Sequence, residues 1–124
     1  MESGLRKATI QIRREDAVAL REAGAEFIET WRTGKSESDV FTFATPAQLF
    51  SVLTPRRWDL IERLQGLGPV SLRGLARALR RDVKRVHEDI AALLDWGFVE
   101  RTEDRKICVP YEVIHADFDL RSAA

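Results

Sequence analysis

The chain has few of the residues on which redox, metal or membrane chemistry depends. Its single cysteine, Cys108, excludes an internal disulfide and every multi-cysteine zinc pattern. The two histidines, His87 and His115, fall in separate elements and lack compact ligand spacing, so no metal and no cofactor is expected. No apolar run approaches the ~18 residues of a membrane helix, and Met1-Glu2-Ser3-Gly4 lacks the basic-then-apolar start of a secretory signal. A cytoplasmic protein with no membrane partner is the expectation. Net charge is absent as well: Lys plus Arg is 20 and Asp plus Glu is 20, so whole-chain charge points to no partner at all. With 124 residues, 44% of them hydrophobic and 32% charged, the chain has the balance of one globular domain with a modest core. That core is too small for a large, multi-substrate active site.

The zero sum hides an uneven distribution. Residues 1 to 14 carry +3, residues 15 to 45 carry −4, residues 54 to 94 carry +4 and residues 95 to 124 carry −3. Six of the nine bases in the third segment lie between Arg73 and Arg85. One short stretch is therefore strongly basic.

Hydrophobic periodicity divides the chain into elements. Ala8-Thr9-Ile10-Gln11-Ile12-Arg13 alternates as a half-buried strand does. From about Glu15 to Trp31, Ala17, Leu20, Phe27, Ile28 and Trp31 predict an amphipathic helix, weakened at Gly24. Val40 to Phe43 reads as a short strand or extended segment. Thr45-Pro46 and Thr54-Pro55 each pair an N-cap residue with proline at the first helical position. The first of these helices should turn Leu49, Phe50 and Leu53 inward; the second should run to about Gln65 with Leu60, Ile61 and Leu64 inward. Ser71 caps a helix of about eight residues carrying Leu72, Leu75, Ala76 and Leu79. After Arg80-Arg81, Asp82 caps another whose inward positions are Val83, Val86, Ile90, Leu93 and Leu94, ending near Gly97. Phe98 to Thr102 and Lys106 to Val109 form a β-hairpin across Glu103-Asp104-Arg105, and Val113 to Leu120 alternates as a last strand.

From Thr54 to Val109 the order is helix, helix, tight turn, helix, β-hairpin, the layout of a winged helix-turn-helix in an α+β chain. A DNA-reading helix needs an apolar face that fixes it to its neighbours and a polar, basic face that enters the major groove. On the helix starting at Asp82, Lys84, Arg85, Glu88 and His87 are the candidate base-reading positions. Arg80 and Arg81 in the turn, with Arg73 and Arg77 on the preceding helix, are candidates for phosphate contacts that fix the docking register. Arg105 and Lys106 at the hairpin tip are candidates for a wing contact, diluted by Glu103 and Asp104.

The segments Leu53-Thr54-Pro55-Arg56-Arg57-Trp58, Gly68-Pro69-Val70-Ser71-Leu72-Arg73-Gly74-Leu75-Ala76-Arg77, Val86-His87-Glu88-Asp89-Ile90 and Trp96-Gly97-Phe98-Val99-Glu100-Arg101 resemble MarR- or ArsR-type winged-helix regulators. Nearly the whole chain resembles a prokaryotic family of winged-helix DNA-binding proteins in which an N-terminal strand and helix precede an "LTP.R" motif. In that family a "VPY..I" segment, here Val109-Pro110-Tyr111-Glu112-Val113-Ile114, leads into the last strand. The resemblance implies an autoregulatory repressor or an antitoxin with a cognate toxin partner. Two positions depart from the family pattern: Arg80 stands where the inter-helix turn usually has glycine, and Arg105 stands where the wing turn often reads Asp-Gly.

Simpler readings stand beside these. Exposed bases are often only solvated; Glu88 either accepts from cytosine or pairs with Arg85 or Lys84; His87 is either a contact or a surface histidine. Cys108 reads as a small buried hydrophobe. Cys108, His115 and Asp117 have the residue types of a nucleophilic triad, but His115 and Asp117 share a polar strand face, so the chain is not expected to be an enzyme. Trp31, Trp58 and Trp96 read as core or interface. Residues 1–53 form the expected dimerisation extension, residues 54–110 the DNA-binding domain and residues 111–124 a strand and tail. A homodimer on double-stranded DNA follows from the two-fold geometry of winged-helix operators. The first strand is expected to pair with the last, within or between subunits, with Lys7 and Arg13 facing Asp117 and Asp119. The competing reading is a protein-interaction module that keeps the scaffold without reading DNA.

Overall fold

The computed structural model describes residues 6–13 and 38–119; the expected helix over 15–31 and Leu120 lie outside the described residues. The architecture is mixed α+β. Its elements are β1 (Lys7–Ile12), β2 (Ser38–Phe43), α1 (Pro46–Val52), α2 (Pro55–Leu67), α3 (Leu72–Leu79), α4 (Val83–Trp96), β3 (Glu100–Arg101), β4 (Ile107–Cys108) and β5 (Val113–Ala116). They divide into two compact units, Met1–Leu49 with Val113–Ala124, and Phe50–Glu112, so that the boundary falls within α1.

In the first unit β1 is the central strand of a sheet ordered β2-β1-β5. Both neighbours run parallel to it. A parallel neighbour needs a connection of a dozen or more residues, and residues 14–37 supply that length between β1 and β2. Ala8 and Ile10 are fully buried, so the period-2 alternation seen in the sequence does mark one covered face. Gln11 lies opposite Thr42 and donates through Nε2 to its Oγ1 at 3.3 Å, and Arg6 pairs with Asp39 at 2.7 Å. The pairing of β1 with the last strand is within the chain, and its register corrects the charge match expected for Lys7. Lys7 lies opposite Val113 rather than an aspartate, because a parallel register starting there carries Asp117 beyond the end of the ladder. β5 is also shorter than expected; the strand stops at Ala116, which is exposed.

In the second unit each helix starts where its cap places it. Thr54 accepts from the Arg57 N–H at 3.3 Å, Ser71 from the Gly74 N–H at 3.0 Å and Asp82 from the Arg85 N–H at 3.3 Å, each satisfying one of the N–H groups that a helix start leaves open. α3 and α4 end in the same way. Arg80 and Gly97 adopt left-handed backbone, with φ of 57° and 95°. The following N–H groups, of Arg81 and Phe98, reach back to the carbonyls of Ala76 and Leu93 at 3.0 Å each, which is the Schellman pattern. The core of this unit is Leu53, Leu60, Ile61, Leu64, Leu75, Val86, Ile90, Leu93, Phe98, Val99 and Ile107, all at most 2% exposed.

Four expectations are corrected. Phe50 is 52% exposed rather than inward, because it stands one residue, about 100° of helix, from the buried Leu49. Val83 and Leu94 are half-buried flank positions, and Cys108 is half-buried. The hairpin strands shrink to two residues each, but the sheet gains a member, since Val70 and Ile107 exchange hydrogen bonds of 3.0 and 2.9 Å.

Candidate nucleic-acid interface

α3, the turn Arg80-Arg81-Asp82, α4 and the hairpin carry every site residue picked out from the sequence. What fixes α4 is a feature that the sequence reading passed over. Asp89 is 2% exposed on the buried face of α4, and its carboxylate accepts from two consecutive arginines at the start of α2. Arg57 Nε donates to Oδ1 at 3.0 Å and Arg56 Nε to Oδ2 at 3.2 Å, while Arg57 Nη1 also donates to the Val52 carbonyl at 2.8 Å. A carboxylate this buried needs such partners, because leaving it unpaired costs several kcal/mol, on the order of 3–5. The signal was present: Val86, Asp89, Ile90 and Leu93 are spaced i, i+3, i+4 and i+7, so the wheel puts Asp89 inside the apolar stripe.

Tyr111 ties the other end. Its ring is buried, its hydroxyl donates to the Gly97 carbonyl at 3.2 Å, and its own carbonyl accepts from Gln65 Nε2 at 3.0 Å. The segment after the hairpin is thereby fixed to the C-terminal end of α4 and to α2.

The bases then sort into two groups. Arg81 is engaged on α2, donating to the Arg56 carbonyl at 3.2 Å and lying 3.9 Å from Asp59. Arg73, Arg77, Arg80, Lys84 and Arg85 are all exposed, and none forms a side-chain hydrogen bond or ion pair among the described residues. They lie on two consecutive helices and the turn between them. Glu88 is exposed and likewise forms no ion pair with Arg85 or Lys84 among the described residues.

At the hairpin tip, the Thr102 N–H donates to the Lys106 carbonyl at 2.8 Å across the three-residue loop Glu103-Asp104-Arg105, whose last residue has φ of 66°. A left-handed third residue is the usual way to close such a loop. Asp104 accepts from the Thr102 hydroxyl at 2.5 Å. That bond, with a further one from its own backbone and the charge of Lys106 3.9 Å away, holds its carboxyl below the usual range. Lys106 is thus partly neutralised by Asp104. Arg105 projects from the loop toward α4, where it lines a cleft with His87 and Arg101. His87 therefore lies on the flank of α4 beside the hairpin, exposed but adjoining a pocket.

Among the described residues no group of His, Cys, Asp and Glu is placed to hold a metal ion, and no helix is long and apolar enough to cross a membrane. What remains is a mixed α+β chain whose helical unit presents exposed bases with no partner among the described residues, on and beside a helix tied at both ends. The chain belongs to the HVO_A0114 family, whose family model matches residues 52–116, just over half its length. No curated protein and no solved structure matches it.

Proposed function

We propose that the unit Phe50–Glu112 is a winged helix-turn-helix that binds double-stranded DNA sequence-specifically, and that the protein is a transcriptional regulator. One observation carries the reading: Arg73, Arg77, Arg80, Lys84 and Arg85 are left without acidic partners among the described residues, in a chain whose charges balance overall. Cations that only kept a surface solvated would have no reason to cluster on two helices and their turn, and DNA phosphates are the partner that rewards such clustering. The order of α2, α3, α4 and the hairpin, the Val70 bridge to β4 and the likeness to MarR- and ArsR-type regulators support the same reading. Lys84, Arg85 and Glu88 read base edges from the first turns of α4; Arg73, Arg77 and Arg80 hold phosphates. Arg81 serves the scaffold instead, through α2. Binding as a homodimer on a pseudo-palindromic site completes the proposal.

Fluorescence-anisotropy titration of the DNA upstream of the chain's own gene, against a scrambled duplex at several salt concentrations, tests it. A preference of about a thousandfold or more is expected of an operator-reading protein. With log K falling by about 0.9 per phosphate contact per decade of salt, the three phosphate contacts per protomer give a slope of about −2.7 for one protomer and about twice that for a dimer. Equal binding to both duplexes, or none at low salt, rejects operator reading at that site and leaves the interaction-module reading.

A further inference from the structure

Between α4 and the hairpin lies a small cleft of about 120 Å³. His87, Arg101 and Arg105 stand around it, and Ile90, Leu94 and Ile107 are among its apolar lining. From these observations we infer that the cleft is a seat for one compact tetrahedral oxyanion, a phosphate or phosphate ester, held by His87, Arg101 and Arg105.

Four features lead there. First, among the described residues none of the three side chains has a hydrogen bond or ion pair; they share that state with Arg73, Arg77, Arg80 and Arg85, but these three stand around a concavity. Unanswered donors bordering one cleft leave room for an acceptor from outside. Second, the donors come from two elements and surround the cleft, which suits an anion with oxygens in several directions better than a planar carboxylate met by one fork. Third, the volume is well below the roughly 300 Å³ at which pockets begin to take drug-sized ligands, so a nucleotide base does not fit inside, whereas a single oxyanion does. The apolar floor lowers the local dielectric and strengthens each contact to the charge.

Fourth, the backbone at Arg105 is left-handed, with φ of 66°. Glycine takes that conformation without strain, and any other L residue does so at a cost of about 1–2 kcal/mol. That conformation closes the three-residue loop, and it sets the Arg105 side chain at the cleft. Three acids stand on the hairpin, Glu100, Glu103 and Asp104, and none of them lines the cleft; Asp104 is engaged with Thr102 and Lys106, and on α4 the charged neighbours of His87 are Lys84 and Glu88, neither of which lines the cleft.

The oxyanion can come from free phosphate or from the phosphodiester backbone of DNA, and the seat itself does not depend on the chain reading DNA. The chain has two histidines, so ring-proton NMR supplies both a probe and a control. Inorganic phosphate titrated into the intact protein, against sodium chloride at matched ionic strength, is expected to shift the His87 resonances saturably. His115, exposed on β5 beside Asp117, should follow the chloride control. Arg101→Gln with Arg105→Gln should weaken the His87 response about tenfold or more, the loss expected when charge-assisted hydrogen bonds are removed. If His87 and His115 respond alike, or the double variant titrates as the wild type does, the seat is overturned. Adding a duplex then separates the sources: a duplex that displaces phosphate from His87 assigns the seat to the DNA backbone, and one that leaves the phosphate response intact assigns it to a free ester. A protein that binds phosphate at His87 but no duplex keeps the seat and loses only the DNA reading.

Discussion

Replacing Asp89 by asparagine removes a charge that two arginines share at the base of α4 while keeping the shape of the side chain. Hydrogen bonds to charged groups contribute about 1.5–3 kcal/mol each. Arg56 is 47% exposed, so its share falls to that of a surface pair, under about 1 kcal/mol. Arg57 is 22% exposed and Asp89 3% by side chain, so most of the larger value survives there. The expected loss is about 2–4 kcal/mol. With urea slopes of about 1–3 kcal/mol per molar for small proteins, the unfolding midpoint should fall by roughly 1–2 M. Urea titration followed by tryptophan fluorescence reads this, since Trp58 and Trp96 lie on α2 and α4, the helices that the pair joins. Combining Asp89→Asn with Arg57→Gln should show a coupling of about 1–3 kcal/mol, as residues in one network do. A loss below about 0.5 kcal/mol for Asp89→Asn, or strictly additive effects in the cycle, would falsify the claim that this pair fixes α4.

Three further outcomes follow from local geometry. Arg80→Gly should raise stability by about 0.5–1 kcal/mol, because the left-handed strain that it relieves exceeds the added chain entropy of glycine in the unfolded state; an unchanged or lower urea midpoint contradicts the Schellman ending of α3. Gly74→Ala should destabilise by about 1 kcal/mol despite the better helix propensity of alanine, since a Cβ there would stand 2.8 Å from Val70 Cγ2 and 3.1 Å from Ser71 Oγ; a stabilised variant would mean that Val70 moves freely. Asp104 should titrate below the ordinary carboxylate range, and Thr102→Val should bring it back up, as read by carboxyl NMR. A lowered folded-state value means that this contribution to stability is present above the unfolded carboxylate value and is lost as pH falls through the folded one.

Local signals carried most of the helical unit into view. Thr54-Pro55, Ser71 and Asp82 each start a helix because a side-chain oxygen beside the first turn is a short-range requirement that the sequence states openly. Gly97 ended α4 for the same kind of reason, and the departure at Arg80 proved to be a strained residue in the usual conformation rather than a different turn. Long-range facts were harder to see. The parallel register that sets Lys7 against Val113 depends on where a distant segment joins the sheet, and charge matching alone pointed Lys7 to the wrong partner. Asp89 was visible on the helical wheel, yet its meaning depended on Arg56 and Arg57, more than thirty residues earlier. That Arg73, Arg77, Arg80, Lys84 and Arg85 have no partner among the described residues, and that Arg81 is engaged, came only from the packed structure, because a list of charges does not say which ones already have partners.

The proposed DNA reading makes different demands on α4 and on α3. Titrating the upstream duplex and its scrambled counterpart with wild type, Arg85→Ala and Arg73→Ala side by side tests it most directly. Arg85→Ala is predicted to lose about 1–3 kcal/mol on the upstream duplex and little on the scrambled one, collapsing the preference. Arg73→Ala should weaken both duplexes alike and lower the salt slope by about 1. A wild type that binds the two duplexes equally, or an Arg85→Ala variant whose preference is unchanged, would contradict the assignment of α4 as the helix that reads DNA.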